Sequence, residues 1–163
     1  MKLRVQLGIV ALATGKFAGC AAATDDRCGP SEAVVARAID GDTVELESGE
    51  RVRYLLIDTP ESTNGANDCY GHEAAQFNAQ LVEGKTVQLE YDEVCTDKYD
   101  RLLAYIELDG RSINELLVER GYACVLHIPP NGDDRAADYE ALEAAAKAGM
   151  VGMWGACEDV TCE

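Results

Sequence analysis

The 163-residue sequence predicts one α+β domain behind a short leader. Three observations carry that expectation. Three stretches with strand-like character follow one another from Val34 to Ile57, separated by turn signals. A segment with helical spacing comes next. Two further strand-like stretches and two further helical segments complete the chain.

Val34-Val35-Ala36-Arg37-Ala38-Ile39 suits a strand because β-branched residues fit a pleated, half-buried surface. Asp40-Gly41-Asp42 turns the chain. Thr43 to Glu47 alternates and reads as a second strand, closed by Ser48-Gly49. Arg51 to Ile57 reads as a third, ending in the apolar run Leu55-Leu56-Ile57. After a loop from Asp58 to about Cys69, Ala74, Phe77 and Leu81 recur at helical spacing, with Gly84 as the stop. Thr86 to Tyr91 and Leu102 to Leu108 form the fourth and fifth strands, the latter closed by Asp109-Gly110. Ser112 and Glu115 have the spacing of a capping box, opening a helix with Ile113, Leu116 and Leu117 on its apolar side and Gly121 beyond it. A last helix starts near Asp133-Asp134, buries Ala136, Tyr139, Leu142 and Ala146, and ends at Gly149. Five short strands suffice for a small closed barrel with helices over its open flank, among other arrangements.

Residues 1–20 read as an export signal. Lys2 and Arg4 give a positive start, and Leu7 to Gly15 is an apolar run too short to span a bilayer. Two processing routes fit. Phe17-Ala18-Gly19-Cys20 resembles a lipoprotein site, with Cys20 as the lipidated residue and a membrane tether. The alternative is ordinary cleavage after Ala21-Ala22-Ala23. Residues 21–32 then form a tether, 33–157 the domain and 158–163 a tail. Beyond Cys20 there are six cysteines, Cys28, Cys69, Cys95, Cys124, Cys157 and Cys162, an even number suited to disulfides in an oxidising compartment. The expected location is therefore periplasmic or extracellular. A structural zinc site is disfavoured, because Cys157 and Cys162 lack closely spaced partners.

The net charge is −16, and without Lys2, Arg4 and Lys16 it becomes −19. Alone, such acidity argues against non-specific affinity for phosphate backbones. A bound divalent cation and a few clustered basic residues can still create a locally positive site on an acidic body.

Three segments bear on chemistry: Ala38-Ile39-Asp40-Gly41-Asp42-Thr43, then Val52 to Glu61, then Asp97-Lys98-Tyr99-Asp100-Arg101-Leu102-Leu103-Ala104-Tyr105. In order and spacing they resemble the staphylococcal nuclease (thermonuclease-like) family, from about Ala33 to Trp154. The resemblance implies a five-stranded OB-fold-type β-barrel with three α-helices. It implies Ca²⁺ held by Asp42 and Asp58 with the Thr59 backbone carbonyl, a hard-oxygen set suited to that ion. Asp40 would shape the turn or lie just behind those ligands. Glu61 would be the general base, or the group orienting the attacking water. Arg53 and Arg101 would hold phosphate oxygens through their forked guanidinium donors. Lys98 and Tyr99 would contact the substrate. Without the resemblance, each residue has a plainer reading: a turn aspartate, a helix-start glutamate, arginines paired with surface carboxylates.

The sequence departs from the family pattern in three places. The loop Ser62–Cys69 has no lysine where the family's namesake is basic. His127-Ile128-Pro129 stands where the namesake has tyrosines beside the nucleotide base, so His127 is a candidate for base stacking. Asp100 replaces the usual Gly before Arg101. In a fold of this family Cys69 and Cys95 would both lie near the site rim, which implies a Cys69–Cys95 disulfide pinning the loop.

The implied activity is hydrolysis of DNA and RNA, with single strands preferred, the 5′ oxygen leaving and 3′-phosphate products. The implied partner is the nucleic-acid substrate, with no obligatory protein partner and a monomeric chain. The competing expectation is a non-catalytic binding module, or an acidic nucleic-acid mimic that binds a basic protein. The charge favours that rival. The joint presence of Asp42, Arg53, Asp58, Glu61 and Arg101 favours the enzyme.

Overall fold

The computed structural model describes residues 28–63, 65 and 67–160. The leader with Cys20, the first part of the tether and the last three residues of the tail lie outside the described residues. In chain order the elements are β1 (Glu32–Ala38), β2 (Thr43–Leu46), β3 (Arg51–Tyr54), β4 (Ile57–Asp58), α1 (Gly71–Val82), β5 (Thr86–Thr96), β6 (Leu102–Leu108), β7 (Arg111–Ser112), α2 (Ile113–Glu119), β8 (Cys124–Val125), α3 (Ala136–Ala148) and α4 (Met153–Ala156).

β1, β2 and β3 form an antiparallel meander. β5 adds antiparallel to the free side of β1, and β6 to β5. β6 then meets β3 in parallel, with Val52 opposite Leu102 and Tyr54 opposite Ala104. This last pairing closes a five-stranded mixed barrel, which removes the exposed edges an open sheet would present. Inside it Val35, Val44, Val52, Ala104 and Ile106 are fully buried, and Leu117 of α2 joins the same core. Each of these valine, leucine and isoleucine side chains contributes about 1.5–3 kcal/mol on burial. The expected α+β barrel with three main helices is what forms, and α4 adds one further turn. Ser112 caps α2 as its spacing predicts, its Oγ accepting the Glu115 N–H at 3.2 Å.

Two strands differ from the sequence expectation, and both differences shape the site. The stretch Arg51–Ile57 is not one strand. It breaks after Tyr54, where Leu56 takes a positive φ of 62°. Side chains satisfy the carbonyls freed by this break. Arg53 Nη1 donates to Tyr54 O and Ile57 O at 2.7 and 2.6 Å, and Asn114 Nδ2 donates to Leu55 O at 2.9 Å. The apolar run conceals the break because Leu55, Leu56 and Ile57 are all buried in the broken form too. β5 runs on to Thr96, past the expected end at Tyr91, with irregular pairing between Tyr91 and Thr96. Asn131 bridges both polar groups of Val94 there, at 2.7 and 2.9 Å.

The expected Cys69–Cys95 disulfide is not formed. Cys95 pairs with Cys28, and Cys69 with Cys157. Cys124 is disulfide-bonded as well. The strand register explains the first pair. Glu32 lies opposite Gln88 in an antiparallel pair, so residues before Glu32 run beside residues after Gln88. The end of the tether is accordingly held against β5, with Ser31 O accepting the Leu89 N–H and Pro30 O accepting the Tyr91 hydroxyl. The second pair follows from α4, an element not expected from the sequence. The Met153 N–H donates to Gly121 O, and the neighbouring Tyr122 packs on Tyr70 and Phe77. Cys157 thereby reaches the approach to α1.

Replacing Cys28 and Cys95 together by serine frees a 67-residue separation in the unfolded chain. The expected cost is about 2–4 kcal/mol of stability. Urea unfolding of the purified domain checks it, and an unchanged midpoint would contradict the assigned pairing.

Candidate active site

The site is built where the meander turns and where β3 breaks. Asp40 and Asp42 flank Gly41 in the β1–β2 turn. Asp40 Oδ1 accepts the Asp42 N–H at 3.0 Å, which sets the turn. A Cβ on Gly41 would lie 2.6 Å from Thr59 Oγ1, so only glycine lets Thr59 pack this closely. Thr59 then donates both its N–H and its hydroxyl to Asp42 Oδ2, at 2.8 and 3.1 Å. Asp42 Oδ1 accepts the Thr43 hydroxyl at 3.1 Å. Asp42 is 5% exposed, and these donors satisfy its buried carboxylate.

Arg53 joins the two ends. Its Nε lies 3.1 Å from Asp42 Oδ1, and its Nη2 donates to Asp58 Oδ1 at 2.8 Å. The same guanidinium holds the broken β3 through Tyr54 O and Ile57 O. One side chain thus both shapes the turn that delivers Asp58 and clamps Asp58 to Asp42. The charge balance stays negative. Burial, and then the adjacent Asp42 carboxylate, push the Asp40 carboxyl up to about 7. Asp42 and Asp58 share one guanidinium with Asp40 beside them, a crowding of carboxyl groups that a cation would relieve.

The donor chemistry fits a hard cation. Asp42 and Asp58 converge on one guanidinium, and the Thr59 peptide follows Asp58 directly. Among the described residues no three or more His, Cys, Asp and Glu side chains cluster as a metal site. Any ion here would therefore draw on two carboxylates, a backbone carbonyl and water, as Ca²⁺ readily does.

Arg101 sits at the start of β6, held by Asp97. Nε and Nη2 contact Asp97 Oδ2 at 2.8 and 2.7 Å, while Asp97 Oδ1 accepts the N–H groups of Tyr99 and Arg101. Burial raises the Asp97 carboxyl, but the Arg101 and Tyr99 amides with the guanidinium outweigh it and hold the carboxyl below its ordinary value. Lys98 and Tyr99 stand exposed on this turn. Lys98 Nζ lies 4.9 Å and Arg101 Cζ 5.6 Å from the Tyr99 ring centre. Arg53 and Arg101 open into one cleft of about 360 Å³, walled by Leu103, Leu126, Ile128 and Pro129. Glu61 lies on the exposed loop after buried Thr59 and Pro60, its Oε2 accepting the Thr63 hydroxyl at 3.1 Å.

The family model described as "Staphylococcal nuclease homologue" matches residues 51–156, well over half of the chain. The chain belongs to the staphylococcal nuclease family. Its match contains Arg53, Asp58, Thr59, Glu61, Lys98, Tyr99 and Arg101, whereas Asp40 and Asp42 precede it. Endonuclease YncB of Bacillus subtilis (strain 168) is 39% identical over 132 residues, 77% of this chain and 62% of that protein. The SPbeta prophage-derived endonuclease YokF of the same strain is 39% identical over 125 residues, 72% of this chain and 42% of that protein. The thermonuclease of Staphylococcus intermedius is 37% identical over 119 residues, 70% of this chain and 71% of that protein. The chain spans less than two thirds of the length of the two Bacillus relatives, 62% of one and 42% of the other.

Two departures of this staphylococcal nuclease family member now have a structural account. Asp100 adopts φ 60°, so the turn keeps the left-handed geometry that glycine would supply, a conformation aspartate tolerates. His127 is engaged by Asp133, with Nε2 at 2.9 Å from Oδ1, close beside the cleft wall. Two residues escaped sequence reasoning. Asp97 orients Arg101, and the signal was available in its i,i+4 spacing to Arg101 and its aspartate-turn chemistry. Buried Asn78 ties Tyr54 Oη to Asp40 O across the site floor, and nothing in the helical pattern of α1 distinguishes it.

The lowered Asp97 carboxyl gives a pH signature. Its contribution to stability is full above the unfolded value near roughly pH 4 and is lost as pH falls through the lowered folded value. Urea midpoints of wild type and Asp97→Asn should differ near neutral pH and converge in strong acid. A gap that persists in strong acid would contradict the assignment.

Proposed function

We propose that the chain is a calcium-dependent nuclease that hydrolyses phosphodiester bonds of DNA and RNA. The observation that carries this reading is the joining of Asp42 and Asp58 by Arg53, whose guanidinium shares one open cleft with Arg101. Membership of a family with relatives named endonuclease and thermonuclease supports it.

Asp42, Asp58 and the Thr59 carbonyl would hold Ca²⁺. The ion, when bound, supplies positive charge that offsets the phosphate and the surplus of site carboxylates. Arg53 and Arg101 donate to non-bridging phosphate oxygens, where negative charge grows as the nucleophile arrives. Asp97 engages Nε and Nη2 of Arg101, and Nη1 takes no part in that pair. Arg53 is the more firmly positioned cation, being fixed by the β3 carbonyls and both carboxylates. Glu61 takes a proton from the attacking water. The water oxygen bonds to phosphorus as the bond from phosphorus to the 5′ oxygen breaks, and that oxygen leaves as a 5′-hydroxyl by taking a proton from solvent, giving a 3′-phosphate. Lys98 and Tyr99 contact the strand at the rim, where exposed Tyr99 offers a face for a base. Single strands suit the cleft because both arginines lie inside it and the phosphate must enter.

The acidic body makes the substrate's approach depend on cations, so affinity falls steeply when calcium is low. The same acidity supports the rival, a binding module for a basic protein, which requires no calcium. The disulfides fit an exported protein acting as a monomer in the periplasm or outside the cell, either lipidated at Cys20 or cleaved after Ala21-Ala22-Ala23.

The test is cleavage of a fluorescent single-stranded DNA by the mature domain, in millimolar calcium or in chelator. Calcium-dependent cleavage is expected, with Glu61→Gln and Arg101→Ala each lowering kcat by about 10²–10³-fold. A folded protein that cuts nothing at any calcium concentration would establish the binding-module reading instead.

A further inference from the structure

Glu61 is exposed, on a loop outside every strand and helix. A base on such a loop needs something to hold it. The structure supplies one residue that grips both backbone polar groups of Glu61. The Glu61 N–H donates to Asp68 Oδ2 at 3.2 Å, and Glu61 O accepts the Asp68 N–H at 2.9 Å. These two bonds pinch the loop shut between its ends.

The pinch is anchored from behind. Asp68 O accepts the Gly71 N–H at 3.0 Å, linking it to the first residue of α1. A Cβ on Gly71 would lie 2.5 Å from Glu61 O and 2.9 Å from Pro60 O, so the helix start presses directly on the Glu61 peptide. Cys69, the residue after Asp68, is bonded to Cys157 at the end of α4. The Cys157 N–H donates to Met153 O, and Met153 is fully buried. A continuous path of covalent and hydrogen bonds thus runs from Glu61 to the interior on the α4 side. The loop has no lysine to grip a phosphate, so its contribution rests on placing the Glu61 carboxylate.

We infer that Asp68, backed by the Cys69–Cys157 disulfide, is a positioning residue for Glu61. The inference rests on the nuclease reading with Glu61 as base. Asp68 touches no reacting atom. It narrows the range of positions the Glu61 peptide visits, so the carboxylate is already placed when substrate binds. Its loss should therefore appear in kcat and leave KM nearly unchanged.

The test measures kcat and KM at saturating calcium for wild type, Glu61→Gln, Asp68→Ala, Asp68→Asn, the Glu61→Gln/Asp68→Ala double variant, and a Cys69→Ala/Cys157→Ala pair. Asp68→Ala should lower kcat about tenfold with KM within about twofold, the loss expected for one well-placed hydrogen bond. Asp68→Asn keeps an acceptor for the Glu61 N–H and should restore most of the rate. In the Glu61→Gln background Asp68→Ala should cost nothing further, because its effect passes through the absent base. Amide exchange at residue 61 should quicken in Asp68→Ala and in the cysteine pair, a readout independent of cleavage. If the cysteine pair does not fold, the Asp68 variants decide alone. An Asp68→Ala that keeps full kcat while Glu61→Gln is impaired, or that costs the same in both backgrounds, overturns the positioning role alone. A fully active Glu61→Gln overturns the base assignment first, and the positioning role with it.

Discussion

The structure depends most on the Arg53 guanidinium. It holds the two carbonyls left by the break in β3, and through that break the chain reverses to bring Asp58 back toward the β1–β2 turn. The same group contacts Asp42 in that turn. Fold and site are therefore one construction. A mostly buried arginine among carboxylates is costly unless its donors are occupied, and here carbonyls and carboxylates take Nε, Nη1 and one Nη2 hydrogen, leaving Nη2 able to donate once more. The barrel closure adds rigidity, since β3 carries Arg53 and pairs in parallel with β6, which begins just after Arg101. Two cations facing one cleft are thus fixed by a single strand pairing.

So acidic a chain, if it is to meet a phosphate as proposed, must gather positive charge locally. The chain carries 30 acidic against 14 basic residues, while Arg53 and Arg101 line one opening and Lys98 stands exposed on the Arg101 turn beside Tyr99. Several remaining arginines are neutralised locally. Arg37 pairs with Glu45, Arg111 with Glu119, and Arg135 with Glu90. Such exposed pairs contribute little stability each, and Arg53 and Arg101 are matched in turn by Asp42, Asp58 and Asp97. These three carboxylates outnumber the two arginines, so the proposed contact with phosphate depends on further positive charge from the proposed cation.

Much of this was legible in the sequence. Strand alternation, glycine stops and the Ser112 cap located most elements, because local chemistry decides them. The barrel required the family resemblance, since pattern does not show that β6 closes on β3. The break at Leu55-Leu56 was hidden because both of its possible forms bury the same apolar run, and the side chain that stabilises it, from Asn114, comes from α2. The disulfides were misread because Cys95 was placed by its nearness to the site. The register of β1 against β5, which carries Cys28 alongside, is a long-range fact. The structure brings Asp42, Arg53 and Asp58 into contact, as residues singled out from the sequence, whereas Asn78 and Asp68 act through other residues and carry no composition signal of their own.

The central claim is that one cluster, Asp42–Arg53–Asp58, serves both the cation and the phosphate. Calorimetric titration of calcium into the mature domain, with and without a cleavage-resistant single-stranded oligonucleotide, tests it most directly. The account predicts a single calcium site whose affinity rises in the presence of the oligonucleotide. Calcium should raise the oligonucleotide's affinity by the same factor, as linkage between touching sites demands. Calcium binding that is absent, or that is indifferent to the oligonucleotide, would contradict it.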